Sequence, residues 1–125
     1  MPLFKKRTRQ ADGLPAGYDV VDEGDRAVLH QLVSQGADLS KPRHVVHYLY
    51  VHTPHHQAEA AVAVRALGWE AEPRPPLPDY PNDWLVLAQR HGVVLTPKEV
   101  AATRGSLEQL ATRLGGQYDG WEASI

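Results

Sequence analysis

The 125-residue sequence predicts an α+β fold, a ferredoxin-like split βαβ (βαββαβ) sandwich with an additional N-terminal helix. Three observations predict it. Two strand-like runs, RHVVHYLYVH at 43–52 and DWLVLAQRHGVVL at 83–95, are apolar enough on both faces to be central. Two more polar runs, WEAEP at 69–73 and GQYDGWEAS at 116–124, suit sheet edges. Helical stripes with start and stop signals separate them, giving the order strand, helix, strand, strand, helix, strand after a first helix.

The elements follow in turn. Residues 1–17 carry Gly13, Pro15 and Gly17 among polar residues without apolar periodicity, so they read as a flexible basic tail, with the folded domain at 18–125. In DEGDRAVLHQLVSQG, Val28, Leu29, Leu32 and Val33 form one helical stripe behind N-terminal acids, and Gly36 ends it. The first strand sends Val45, His47, Leu49 and Val51 one way and His44, Val46, Tyr48, Tyr50 and His52 the other. Thr53 and Pro54 supply an N-cap and a first position for a helix striped by Ala60, Ala61, Val64 and Leu67, stopping at Gly68. Pro73, Pro75, Pro76 and Pro78 lack a ladder donor and place the second strand at an edge, running into an irregular loop. TPKE at 96–99 predicts a capping box, with the Thr96 hydroxyl on the Glu99 backbone and the Glu99 carboxylate reaching back. That helix runs through Val100, Leu107, Leu110, Ala111 and Leu114 to Gly115 and Gly116, leaving room for one last strand.

Right-handed crossovers put both crossover helices on one sheet face. The opposite face is then open, covered by the first helix, or covered by a partner. On the terminal strand, strict alternation pairs Asp119 with Trp121 and Tyr118 with Gly120 and Glu122. Trp121 is expected to anchor the edge strand to the helices, with a partner contact as the alternative, and Gly120 lets the backbone bend or bulge.

Composition excludes several classes. No cysteine is present, so disulfides, thiolate metal sites and cysteine nucleophiles are out. No run approaches a membrane span, and the basic start lacks the apolar stretch of a signal peptide, so the expectation is a cytoplasmic protein. Thirteen Lys and Arg against fifteen Asp and Glu, a net charge of −2, lack the basic excess of a general nucleic-acid binder. Lys5, Lys6, Arg7 and Arg9 concentrate positive charge at the start, so the remainder is more acidic than the total.

Five of seven histidines fall between His44 and His56, yet the spacing does not favour a metal. His44 and His47 point to opposite faces. His52, His55 and His56 can converge at a turn but lack a carboxylate or cysteine at ligand spacing. His47, between Val45 and Leu49, reads as a core histidine bonded to an oxygen. No phosphate-binding glycine loop or nucleophile motif occurs, and neither metal nor other cofactor is expected. Tyr48 and Tyr50 fit either packing under the first helix or base stacking in an RNA-binding module, although the third strand lacks the matching basic and aromatic motif.

GG-x-YDGWE (Gly115 to Glu122), the strand HVVHYLYV before an alanine-rich helix ending in LGW, and the run DxxVLxQLxxxGxDLxxP from Asp25 to Pro42 together resemble the regulator of ribonuclease E activity B family, RraB. The resemblance spans about 22–125. It implies a ferredoxin-like protein without catalytic activity that binds and inhibits ribonuclease E, and so modulates mRNA decay. It also implies an acidic surface suited to a basic segment of the nuclease, with RNA involved only indirectly. Candidate partner-binding residues are Tyr118, Asp119, Glu122, Tyr48, Tyr50 and Asp83; Trp121, Gly120 and His47 are expected to be structural.

Overall fold

Among the described residues four strands form one antiparallel sheet in the order β2-β3-β1-β4, backed by three helices, so the protein is α+β. The elements of this computed structural model are α1 (Glu23–Ser34), β1 (Arg43–Val51), α2 (Pro54–Ala66), β2 (Glu70–Arg74), β3 (Trp84–Val93), α3 (Pro97–Arg113) and β4 (Gln117–Ala123). It describes residues 13–125, and Lys5, Lys6, Arg7 and Arg9 lie outside the described residues. The apolar β1 and β3 are central, and the polar β2 and β4 are the edges. Pro73 is accommodated in β2 because an edge strand has one side free of ladder bonds.

Local chemistry sets the helix ends. Oxygens of Asp22, Thr53 and Thr96 accept from the backbone N–H groups of Asp25, His56 and Glu99 at 2.9, 3.0 and 3.1 Å. The capping box at Thr96 is only half formed. The Thr96 N–H donates to the Val94 carbonyl at 2.9 Å, and the Glu99 carboxylate accepts from the Thr103 hydroxyl at 2.6 Å instead. Each helix closes with a glycine in the left-handed region followed by a backbone bond reaching back five residues, from Ala37 to Leu32, Trp69 to Val64 and Gly116 to Ala111.

The core lies between the helices and one sheet face. Val45, Leu49 and Val51 of β1 and Val86 and Ala88 of β3 meet Leu29 and Leu32 of α1, Ala60 and Val64 of α2, and Leu107 and Leu110 of α3. Core contacts reach back to Leu14 and Tyr18, whose hydroxyl donates to the Leu95 carbonyl at 2.8 Å. Because α1 spends its apolar stripe here, it does not cover the opposite face. Tyr48 and Tyr50 therefore do not pack beneath the first helix. They stand half-exposed on an open face with His44 and Val46.

The terminal strand departs from strict alternation. His47 pairs with Trp121 but Leu49 pairs with Tyr118, so two steps on β1 oppose three on β4. The extra residue is a bulge at Asp119 and Gly120, and Gly120 takes φ +93°, which a side-chain-bearing residue rarely adopts. The bulge corrects the expected faces. Tyr118 turns to the helix side with Trp121, while Asp119 joins Glu122 on the open face. The far end of β4 is secured by Ser124 N–H on the His44 carbonyl and by Arg43 Nη1 on the Ser124 carbonyl, both at 2.9 Å.

Candidate partner-binding face

Beneath the edge strand lies a polar linkage that holds it. Trp121 is 7% exposed, and its Nε1–H donates to Asp25 Oδ1 at 2.9 Å. The other oxygen of Asp25, a residue 1% exposed, accepts from Arg104 Nε at 2.7 Å. Arg104 Nη1 also donates to Glu108 at 2.8 Å. These carboxylates keep the guanidinium protonated more firmly than an ordinary arginine. One buried carboxylate thus joins α1, α3 and β4, and both its oxygens are satisfied.

His47 sits beside this linkage, 3% exposed, with its Nδ1 2.8 Å from the Tyr118 hydroxyl. The Trp69 ring meets it edge-on at 5.0 Å and the Trp121 ring lies at 5.9 Å. Burial among aromatic rings disfavours the charged imidazole and lowers its pKa to about 4 from its usual 6.5. Burial likewise raises the Tyr118 hydroxyl, which stays neutral. As pH falls below 6.5 the unfolded chain takes up this proton before the folded one. Stability is therefore full above that value and declines toward pH 4. Urea unfolding at pH 7 and pH 5 should differ by about 2 kcal/mol from this group, and the difference should shrink in His47→Gln.

The open face presents three cross-sheet rows. Glu70, Gln89, Val46 and Glu122 form the first, Glu72, Leu87 and Tyr48 the second, and Arg74, Leu85, Tyr50 and Gln117 the third. With Asp119 and Asp83 at the end of the face, five carboxylates stand, among the described residues, against the single guanidinium of Arg74. The polar groups are preorganised. The Tyr48 hydroxyl donates to Glu122 Oε1, which pushes the phenol up to about 12. Gln89 donates to Glu72 at 3.0 Å and bonds His44 Nε2 at 3.0 Å, and His44 stacks on His91 at 4.1 Å. Arg74 Nε donates to the second oxygen of Glu72.

At the β4 start the face deepens into a groove of about 720 Å³. Tyr50, Leu85 and Gln117 of the sheet line it, with Asp119 at the bulge and Leu77, Tyr80 and Asp83 from the β2–β3 connection. Gln57 of α2 donates to the Arg74 and Leu85 carbonyls, both at 2.9 Å, fixing the base of that connection.

Of the six candidate contact residues, five (Tyr48, Tyr50, Asp83, Asp119 and Glu122) come together on this face, and Tyr118 faces inward. Sequence reasoning missed Glu70, Glu72, Arg74, Leu77 and Tyr80. Their signal was the alternation of β2 and the apolar residues inside the proline loop. Among the described residues no three His, Asp or Glu are placed to hold a metal ion. Contrary to the expectation that His52, His55 and His56 lack a neighbouring carboxylate, His55 pairs with Glu59 one helical turn on at 3.0 Å, while His52 approaches the Asn82 carbonyl at 3.3 Å. No helix of the described residues is long and apolar enough to cross a membrane.

The family model of the regulator of ribonuclease activity B matches residues 22–123, from the cap of α1 to the last residue of β4. The chain belongs to that family. Comparison with curated proteins gave no match. For an RraB-family protein the name implies regulation of a ribonuclease, and a ribonuclease as partner. The matched span contains every element that builds the RraB-family chain's open face.

Proposed function

We propose that this protein is a non-catalytic cytoplasmic regulator that binds ribonuclease E through the open face of the four-stranded sheet and inhibits it, modulating mRNA decay. The observation that carries the reading is that five carboxylates surround Tyr48, Tyr50, Leu85 and Leu87 on a face that the helices of the described residues leave uncovered. An apolar centre with an acidic surround suits a basic, extended protein segment, by burial at the centre and charge complementarity at the rim. The strand order, with β1 and β3 central, supports reading the scaffold as ferredoxin-like. Inhibition follows from occlusion of the bound segment or displacement of its other partners. Tyr118 contributes from below, holding His47 and the edge strand rather than touching the partner.

The same carboxylates disfavour the RNA-binding alternative, because Tyr48 is committed to Glu122 and a phosphate backbone would be repelled. Glu122→Lys reverses one rim charge at an exposed position. Isothermal titration against purified ribonuclease E should show about tenfold weaker binding, with unfolding free energy unchanged within about 0.5 kcal/mol. Wild-type affinity in that variant would remove this face as the interface.

A further inference from the structure

From the groove at the β4 end of the open face, we infer that one arginine side chain of the partner's extended segment is its occupant. This rests on the docking reading above and names the residue that anchors it. The groove's volume of about 720 Å³ falls in the range of small-ligand sites and exceeds one side chain, so flanking backbone enters with it.

The lining selects the chemistry. Asp119 and Asp83 reach the groove from two different elements. The neighbouring cation, Arg74, is already held by Glu72, so its charge is offset within the sheet and the two aspartates dominate. His52 lies closer to the Asn82 carbonyl, at 3.3 Å, than to the Asp83 carboxylate, at 3.9 Å. An apolar occupant would strip water from both carboxylates without compensation. An anionic one would be repelled. Between the two cationic side chains, the planar, weakly hydrated guanidinium can bond carboxylates in its plane while stacking on a ring, and Tyr50 and Tyr80 supply rings. Leu77 and Tyr80, 67% and 60% exposed, form an apolar lip suited to the aliphatic stem.

The test is a nuclear magnetic resonance titration of the uniformly 15N-labelled full chain with hexa-arginine, hexa-lysine and hexa-citrulline peptides at one ionic strength. Hexa-arginine should saturably shift the amides of Tyr50, Leu85, Gln117 and Asp119. Hexa-citrulline, equal in shape but neutral, should bind about tenfold more weakly or worse, with hexa-lysine in between. Asp83→Asn combined with Asp119→Asn should weaken hexa-arginine about tenfold. Tyr80→Ala, on the exposed lip, should weaken it about threefold and provides a second route if the double variant misfolds. Equal binding of hexa-citrulline or hexa-lysine, unchanged affinity in the double variant, or the same shifts produced by oligouridylate would each overturn the inference. Ribonuclease E binding that is lost in Glu122→Lys while hexa-arginine ignores the groove overturns the groove and leaves the docking reading standing. Saturation of the groove by hexa-arginine without any ribonuclease E binding does the reverse.

Discussion

Replacing Trp121 with alanine should lower the unfolding free energy by about 4 kcal/mol, measured by urea denaturation at pH 7. Two losses add. The indole is 7% exposed within the core cluster, and its removal leaves a void bordered by His47. Its Nε1–H is also one of the two donors satisfying the buried Asp25 carboxylate, and that oxygen would lose its partner away from water. Trp121→Phe separates the terms. It keeps most of the packing and should cost about 2 kcal/mol through the lost hydrogen bond to a charged acceptor. Should the alanine variant lose less than about 1 kcal/mol, Trp121 does not anchor β4.

Gly116→Ala should be nearly as damaging, at about 3 kcal/mol, for a different reason. A Cβ on Gly116 would lie 2.1 Å from the Tyr50 carbonyl oxygen and 2.9 Å from Val51 Cγ1. The oxygen belongs to the backbone of a central strand and cannot rotate away, so β4 must separate from β1 at its first pair, Tyr50 and Gln117. Gly105 in α3 provides the contrast. Nothing lies within 4 Å of its added Cβ, and Gly105→Ala should stabilise the helix by about 0.5 to 1 kcal/mol. Parallel denaturation curves should move in opposite directions, and a Gly116→Ala curve superimposed on wild type would show that β4 tolerates withdrawal from β1.

Three outcomes that local pattern does not decide share a cause, because each depends on residues far apart in the chain. For the tyrosines of β1 the sequence leaves open both packing beneath α1 and an uncovered face, because an amphipathic helix must bury its stripe somewhere and periodicity does not say against which layer. Strict alternation through Gly120 points Tyr118 outward, but a single extra residue inverts every face beyond it. The burial of Asp25 against Trp121 and Arg104, 96 and 79 positions away, leaves no trace in local spacing.

By itself the sequence determined the elements, their order and their ends. These rest on short-range physics, namely side-chain period, the capping oxygens of Asp22, Thr53 and Thr96, and the glycines that close each helix. It also set the central and edge strands, because apolar content on both faces states how many neighbours a strand must have. Only the tertiary structure decided which face stayed open, which acids gathered on it and which was buried in the core. Those outcomes depend on strand register, on one bulge and on where α1 came to rest, and each is chosen by the packing of the whole chain at once.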